Sequence, residues 1–234
     1  MAANLHELRF IEGVVGNLAL FGEAEPAQVA NIARQGWTLQ ARRGDLLARR
    51  GERLPGMFIV AYGLAKLAMR GKEGGERVLR LVGAGQTFGE ATALLGLAAR
   101  YEALALVDAR LVVLPTASLF ALVDREPRFG RALSRLLAER NFELLGEMEA
   151  ATVQRSLQRL ATYLGSLADY AVAAGGRAVQ LPVSKTVVAA RLGIKKETLS
   201  RLLRQLARDG IIAVSRREIS ILDPAGLNRV ATVA

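Results

Sequence analysis

Cysteine is absent from this chain of 234 residues, and His6 is its single histidine. Without cysteine the protein forms no disulfide, has no thiolate nucleophile and holds no iron–sulfur cluster on cysteines. A single imidazole also argues against the common zinc sites and histidine-based catalytic sites. The sequence contains no G-x-x-x-x-G-K-[ST], H-E-x-x-H or G-x-S-x-G motif, so we expect a protein that is not an enzyme.

Long hydrophobic runs are missing as well. The longest apolar stretch, residues 111–123, is interrupted by Pro115, Thr116 and Ser118 and is too short to cross a bilayer. Residues 1–10 show no hydrophobic region of a signal peptide. We therefore expect a soluble, globular, cytoplasmic protein of one or two domains.

The positive charge is concentrated towards the carboxyl terminus. Residues 153–234 contain 13 Lys and Arg against 5 Asp and Glu, a net charge of +8. The rest of the chain contains 19 against 17, a net charge of +2. A basic segment joined to a nearly neutral one indicates a polyanion-binding module attached to a second unit, the alternative being a solvated basic surface.

Short apolar stretches separated by glycine-containing breaks occupy about residues 36–114. Their number and spacing predict an all-β barrel or jelly roll. Residues 72–75, Lys-Glu-Gly-Gly, form a predicted hairpin loop. Residues 25–33 form a predicted short helix that begins at Pro26. The predicted strands cover residues 57–62, 64–69, 78–82 and 104–114.

The hydrophobic period changes after Pro115, and a long helix is predicted to begin near Pro127. Its apolar positions are alternately three and four residues apart, as in the seam of a coiled-coil dimer. The exception is the polar Asn141. The alternative is an amphipathic helix packed on the barrel. A bend is predicted at Thr152, followed by a second helix over residues 153–174 that ends at Gly175 and Gly176. The seam residues are Leu133, Leu137, Leu144, Met148 and Ala151.

Residues 181–222 carry the pattern of a helix-turn-helix. Ser184 suits the N-cap of a short helix, Gly193 permits the tight turn, and a second helix is predicted over about residues 195–208, with Gly210 as its cap. Ala189 lies four residues before Gly193 and lets the helices approach each other, while Leu199 lies six residues after it and buries the second helix.

Charged and polar side chains occupy the predicted exposed face of the second helix. Arg201 has the geometry to donate two hydrogen bonds to guanine, and Glu197 to accept one from cytosine. The three other cations on this face are predicted to contact phosphates; they are Lys195, Lys196 and Arg204. Residues 211–214 and 218–222, joined by 215–217, form a predicted basic β-hairpin wing, and a charged helix pair without a nucleic-acid role is the alternative. The predicted DNA contacts are Ser184, Lys185, Lys195, Lys196, Glu197, Ser200, Arg201 and Arg204.

These motifs resemble those of the CRP/FNR family of bacterial transcription regulators over nearly the whole chain. Residues 85–90, GQTFGE, match the glycine–glutamate turn at the family's effector pocket, and residues 182–223 match its DNA-binding domain. The resemblance implies an α+β fold with an N-terminal cyclic-nucleotide-binding-type β roll, or jelly roll, over residues 1–126. A long dimerisation helix over 127–152 and a C-terminal winged helix-turn-helix over 153–234 would follow.

The recognition-helix residues Glu197, Ser200 and Arg201 are similar to the E-x-x-S-R pattern of the family's FNR-like branch. The resemblance implies a homodimer that binds a palindromic TTGAT-like DNA site. It implies RNA polymerase as a further partner and no association with a membrane. Residues 210–212 and 217–223 look most like the nitric-oxide-responsive regulators of denitrification. Lys196 departs from both branches of the family and leaves the outer half-site bases open.

The effector pocket is implied by the same resemblance. Glu90, after Gly89, stands where cAMP-binding members contact the ribose, and Arg100 stands about where their phosphate-binding arginine lies. Tyr101 replaces the expected serine, and Leu144 and Leu145 replace the threonine and serine that contact adenine. Because two of the three contact sets are missing, cAMP is disfavoured. A buried ion pair of Glu90 with Arg100 is the structural alternative.

Haem stays open as a cofactor, since the nitric-oxide-responsive members are thought to sense through it. His6 is the one imidazole available as an axial ligand, and we expect it in a mobile, solvent-exposed amino-terminal segment. The alternative to specific DNA binding is a cyclic-nucleotide-type ligand-binding module whose basic domain docks non-specifically on nucleic acid or on a protein. Glu197 argues against that alternative, because a carboxylate facing a polyanion lowers affinity unless it reads a base.

Overall fold

The computed structural model describes residues 5–70, 75–153, 156–173, 179–181, 183–215 and 218–232. It contains two compact units, one of Met1–Gly74 with Leu79–Phe142 and the other of Gly75–Val78 with Glu143–Ala234. The helices in these described ranges include none that is both long and apolar enough to span a membrane.

The first unit begins with two helices, α1 (Leu5–Gly16) and α2 (Pro26–Ala33), separated by a 3₁₀ turn. The predicted helix at α2 is confirmed, with Pro26 in the first turn and Glu25 and Gln28 capping each other's backbone. Helix α1 was not expected. Its Ile11 and Val15 are 1% and 0% exposed in the core, so burial holds this segment in place. His6 is exposed, as expected, and the expected mobility of the segment around it stays a prediction.

Eight strands and one short helix follow in the described part of this unit, and they confirm the predicted β roll. Strands β1, β8, β3 and β6 form one four-stranded sheet, and β2, β7, β4 and β5 form another. The predicted strand over 104–114 is divided into β7 and β8 by a turn, where the Asp108 carboxylate accepts a hydrogen bond of 2.9 Å from the Arg43 backbone. The predicted hairpin loop at 72–75 falls largely on residues 71–74, outside the described ranges. The elements are β1 (Trp37–Ala41), β2 (Leu46–Ala48), β3 (Gly56–Tyr62), β4 (Leu64–Arg70), β5 (Glu76–Gly83), β6 (Thr87–Phe88), α3 (Glu90–Leu95), β7 (Glu102–Ala105) and β8 (Ala109–Pro115).

Apolar side chains fill two clusters in this unit. One joins inward-facing residues of the two sheets, among them Phe58 and Phe88, whose rings stack with centroids 4.7 Å apart. The other joins β3 and β8 to the helices, including α4 (Thr116–Arg125) and α5 (Pro127–Val153). The long helix predicted to begin near Pro127 is therefore present.

The apolar positions of α5 divide into two groups. Leu133 is 4% exposed and Leu137 packs beside it against the core of the first unit, as in the alternative interpretation of this helix. Further along the helix, Leu144 and Met148 are 52% and 66% exposed. The prediction of one continuous seam was wrong for the first group, because the core already covers it. Helix α5 continues through Thr152, where the bend was predicted, and ends at Val153. The side chain of Ala151 and residues 154–155 are outside the part of the chain that the structure describes.

The second unit contains the predicted helix pair and hairpin. Strands β10, β11 and β9 form its sheet, around a core that includes Leu160, Leu164, Leu206 and Ile212, none more than 1% exposed. Strand β9 and helix α9, which packs on α6, were not predicted. The predicted helix end at 175–176 and wing tip at 216–217 lie outside the described residues. The elements are α6 (Ser156–Ala173), β9 (Val179–Gln180), α7 (Lys185–Leu192), α8 (Lys196–Arg208), β10 (Ile212–Ser215), β11 (Glu218–Ile221) and α9 (Pro224–Thr232).

Candidate nucleic-acid interface and ligand pocket

Helix α7 and the turn after it have the local structure expected from the sequence. Ser184 is the N-cap, and its hydroxyl oxygen accepts a hydrogen bond of 3.4 Å from the Val187 backbone. The helix ends at Gly193, whose φ of +66° lies in the left-handed region that glycine tolerates best. The backbone N–H of Ile194 then donates to the Ala189 carbonyl oxygen at 3.0 Å. This hydrogen bond closes the turn against α7.

Helix α8 has one apolar face and one charged face. Leu199 and Leu206 are completely buried, and Leu202 and Leu203 are 8% and 3% exposed. This leucine face packs α8 into the core and leaves the opposite face to solvent. The exposed residues there are Lys195, Lys196, Glu197, Arg201 and Arg204. Ser200 lies on the same face and is half-buried.

The amino-terminal end of the helix pair combines several cations with one carboxylate. Lys195 is the N-cap residue of α8, and Glu197 lies in its first turn. Ser184 and Lys185 stand at the start of α7 and are half-buried. The structure thus places all eight residues predicted to contact DNA at the helix starts or on the outward face of α8. Whether each contacts DNA stays a prediction.

Two further contacts, which sequence reasoning missed, hold the last turn of α7. Arg191 forms an ion pair with Glu147 of α5, and both side chains are partly buried. The Nε of Arg159 in α6 donates a hydrogen bond of 3.3 Å to the Leu192 carbonyl oxygen. A cation at the carboxyl end of a helix also interacts favourably with the helix dipole. Residue spacing carries no signal for either contact, because the partners come from separate helices.

The predicted wing is an antiparallel hairpin of β10 and β11. Ile212 pairs with Ile221 and Ser215 with Glu218, so the strands meet next to residues 216–217. Strand β9 adds to the other side of β11, where Ile219 pairs with Val179. Helix-turn-helix and hairpin together form a winged helix-turn-helix.

In the first unit, the predicted glycine–glutamate turn links β6 to α3. Gly89 has a φ of +92°, and a Cβ there would lie 3.0 Å from the Gly56 carbonyl oxygen, so the position requires glycine. Glu90 follows as the first residue of α3 and is only 4% exposed. Its Oε1 accepts a hydrogen bond from the Thr87 hydroxyl. A buried carboxylate in this position needs a cation or further donors.

The cation beside Glu90 is Arg140 of α5. Its Nη2 lies 3.2 Å from Glu90 Oε1 and also donates to the carbonyl oxygen and the hydroxyl of Thr87, at 3.0 and 3.1 Å. Arg80 donates to the same carbonyl oxygen. The hypothesis of a Glu90–Arg100 pair is wrong, because the Arg100 side chain is exposed. Sequence reasoning missed Arg140, since 50 residues separate it from Glu90.

The other predicted pocket residues are only partly brought together. Tyr101 is half-buried near Gly89 and Thr92, and burial raises the pKa of its phenol. Leu144 and Leu145 belong to the second unit and are each 52% exposed. His6 lies on the exposed side of α1. Within the described ranges no cluster of three or more His, Asp or Glu residues could hold a metal ion.

Comparison with known proteins supports both units. Residues 158–230 match the family model of the Crp-like helix-turn-helix domain, and residues 38–126 match that of the cyclic nucleotide-binding domain. The first match covers α7, α8 and the wing, and the second covers the strands of the β roll and the turn at Glu90.

Whole-chain relatives are transcription regulators. Transcriptional regulator SdrP of Thermus thermophilus is 32% identical over 200 residues, covering 83% of this chain and 94% of its own. The cyclic AMP receptor protein of the same organism is 28% identical, covering 81% and 85%. The structure of FixK2 from Bradyrhizobium japonicum has the same fold, with a TM-score of 0.76 at 21% identity over 85% of this chain and 98% of that one. With its winged helix-turn-helix and its effector-binding-type β roll, the chain belongs to the CRP/FNR family of sequence-specific DNA-binding transcription regulators.

Proposed function

We propose that the protein acts as a homodimer that binds a palindromic DNA site with TTGAT-like half-sites and regulates transcription together with RNA polymerase. In this proposal it belongs to the FNR-like branch, near the nitric-oxide-responsive regulators, and works in the cytoplasm, where the DNA of a bacterium lies. The observation that carries the proposal is the outward face of α8, on which Glu197 and Arg201 are both exposed.

The specificity follows from the spacing of these two side chains. Glu197 and Arg201 are four residues apart, so they project from the same side of the first two turns of α8. Bound in the major groove, Arg201 would donate to guanine and Glu197 would accept from cytosine, with Ser200 between them. Lys195, Lys196 and Arg204 would neutralise phosphates and fix the register without reading sequence. Ser184 and Lys185 would contact the backbone from the start of α7.

The homodimer is supported by the exposed apolar residues of α5. Phe142, Leu144, Leu145 and Met148 are between 52% and 76% exposed, although all are large and apolar. At about 100° per residue, Leu144, Leu145 and Met148 lie within an arc of about 100° of the helix surface. These three side chains form an apolar patch, and a second copy of α5 along this arc would remove the patch from water, as in a coiled coil. The dimer would then place two α8 helices in successive major grooves, about 34 Å apart.

Control is proposed to come from the β roll. A ligand or another change near Glu90 would alter the position of α5 and, through α5, the spacing of the two recognition helices. Such a ligand acts only by its different affinity for the two arrangements. Tyr101 and the two leucines argue against cAMP, even though one relative is named a cyclic AMP receptor protein. Haem is the other candidate effector, with His6 of α1 as its axial ligand.

Fluorescence anisotropy tests the DNA specificity. The purified protein is titrated at physiological salt against a TTGAT-N4-ATCAA duplex and a scrambled duplex, alone, with cAMP, and with haem plus nitric oxide. Selective binding to the first duplex supports the proposal, and a requirement for one addition identifies the effector class. Equal, salt-sensitive binding to both duplexes in every condition overturns the half-site assignment and favours non-specific docking.

Analytical ultracentrifugation tests the dimer. Leu145→Glu places a charge in the apolar patch and should produce monomers with weak DNA binding. Phe120→Glu is the matched control, because Phe120 is an exposed apolar residue of a different helix, at 43% exposure. If both variants remain dimers like the wild type, α5 is not the dimer interface.

A further inference from the structure

A crevice lies in the first unit between one side of α1 and the end of β3, where Val60 and Ala61 line it together with Gly85. Its volume is about 330 Å³, within the range of small-molecule sites. Gly13 of α1 and Gly85 leave it open, because a Cβ at either position would meet no atom of another element within 4 Å. Glu90 is not among its lining residues, so the crevice is separate from the glycine–glutamate turn.

The walls of the crevice are largely apolar. Val60 is completely buried and Leu18 is 5% exposed. Phe10 and Val14 of α1 are half-buried against the core that this helix shares with the sheet. Water in such a space has few hydrogen-bond partners, so an apolar group of suitable size would gain free energy by displacing it. The crevice therefore fits the apolar body of a ligand.

Helix α1 crosses the sheet on the way to this crevice. Near its start, Glu7 accepts a hydrogen bond of 2.6 Å from the hydroxyl of Thr38 in β1. One turn later the Phe10 ring lies over the guanidinium of Arg110 in β8, with the ring centroid 3.8 Å from the Arg110 Cζ. Because Phe10 also lines the crevice, Arg110 stands at its β8 end.

Arg110 is a half-buried cation to which the described residues give no ion pair. It lies on the helix side of the sheet, since Val112, two residues later, packs against the helices. Its Nε is buried and has no hydrogen-bond partner. The Phe10 ring supplies a cation–π contact but accepts no hydrogen bond from Nε. An anion at Arg110 would add the charge-assisted hydrogen bonds that the chain itself does not supply.

Other donors surround the same end of the crevice. Gln40 and Tyr62 are the cross-strand neighbours of Arg110 on β1 and β3, and both are exposed. Arg9 lines the crevice from α1, is exposed and has no ion pair among the described residues. Two guanidinium groups, an amide and a phenol are thus available to donate to an anion.

We propose that this crevice binds a small amphiphilic anion, with its apolar body between α1 and β3 and its carboxylate at Arg110 and Arg9. The ligand would contact α1, β3 and β8 at once, and it would stabilise the folded state because the unfolded chain offers no such site. The proposal does not rest on the DNA-binding function, and it adds a ligand site apart from the one at Glu90.

The probe is octanoate, an eight-carbon carboxylate, which is titrated calorimetrically into the full-length protein. Octan-1-ol has the same chain without the charge, and inorganic phosphate has charge without the chain. Gly13→Leu fills the crevice, and Gly165→Leu in α6 is its matched control, because a Cβ at Gly165 also has open space. Arg110→Gln and Arg9→Gln each remove one cation, and Arg34→Gln removes one from an exposed residue that does not line the crevice.

The wild type should bind octanoate and should melt at a higher temperature in its presence. Octan-1-ol and phosphate should each bind about tenfold more weakly, because each lacks one half of the contacts. Arg110→Gln and Arg9→Gln should each weaken octanoate binding by about tenfold. Gly13→Leu should abolish it without lowering the melting temperature of the ligand-free protein, since leucine favours a helix more than glycine does. Both controls should match the wild type.

Three results would overturn the proposal. Gly13→Leu that binds octanoate like the wild type would place the ligand elsewhere. Octan-1-ol that binds as tightly as octanoate, or unchanged octanoate binding by Arg9→Gln, would remove the role of the anion; Arg9 is exposed, so this variant is informative even if Arg110→Gln fails to fold. No binding of millimolar octanoate by the wild type would also contradict it. None of these results depends on DNA, so a failure of the proposed function is detected separately by anisotropy.

Discussion

The Nε of Arg204 donates a hydrogen bond to the backbone carbonyl oxygen of Ser200, 3.3 Å away and one turn earlier in α8. The guanidinium of Arg204 thus lies along its own helix. To reach a phosphate it would exchange this exposed contact for a charge-assisted one, which is the stronger of the two. Arg204 is therefore expected to contribute affinity, while Arg201 contributes sequence discrimination.

Arg201→Ala should weaken binding to the TTGAT duplex by about 1–3 kcal/mol and relax discrimination at the half-site guanine, because two hydrogen bonds to that base would be lost. Anisotropy titrations on the duplex and on its guanine-substituted version measure both effects. Arg204→Ala is the control, and it should weaken both duplexes to a similar extent. If Arg201→Ala also weakens scrambled DNA equally, Arg201 contacts a phosphate and not a base.

Lys195→Ala should weaken binding to specific and scrambled duplexes alike, because a phosphate contact carries no sequence information. The slope of log affinity against log salt concentration should become shallower by about 1. Arg49→Ala removes an equal charge from an exposed side chain of the first unit and serves as the control. An unchanged salt slope for Lys195→Ala would contradict the phosphate assignment.

Two glycines with the same φ angle should respond differently to alanine. Gly44 and Gly63 both have a φ of +96°, but a Cβ at Gly44 has open space, whereas one at Gly63 would lie 2.6 Å from the Ala109 Cβ. Gly44→Ala should cost about 1–2 kcal/mol of folding free energy through the left-handed conformation alone. Gly63→Ala should cost about 1–3 kcal/mol more from the collision with β8. Equal urea midpoints for the two variants would show that the turn at Gly63 can relax.

Tyr101 should give the protein an alkaline stability limit. Burial raises the pKa of its phenol above the ordinary value of 10.0. The neutral phenol therefore stabilises the folded state fully below pH 10.0, and this contribution is lost as pH rises through the raised pKa. In urea titrations above pH 10.0, the free energy of unfolding of Tyr101→Phe should therefore fall less with rising pH than that of the wild type. Tyr62→Phe, at an exposed tyrosine, should follow the wild type, and the same curve for both variants would exclude Tyr101 as the cause.

Much of the second unit could be predicted from local sequence. Ser184, Gly193 and the leucines of α8 act through backbone conformation and helical period, and both are properties of neighbouring residues. The β roll was predictable as a class for the same reason, because apolar stretches broken by glycine specify strands and turns. Its division into β7 and β8 was not, since at the turn between them the Asp108 carboxylate accepts a hydrogen bond from the backbone N–H of the distant Arg43.

The candidate pocket shows the opposite case. The sequence identified Gly89 and Glu90 by their motif, yet assigned the wrong cation, because Arg100 stands about where the family's phosphate-binding arginine lies, whereas Arg140 is the arginine that pairs with Glu90 in space. The seam of α5 was likewise continuous in sequence, but the core covers Leu133 and leaves Leu144 exposed. Local patterns determined which helices, strands and turns form, as well as the charged face of α8. Only tertiary packing decided which side chains are buried and which charges meet, because those outcomes depend on residues far apart in the chain.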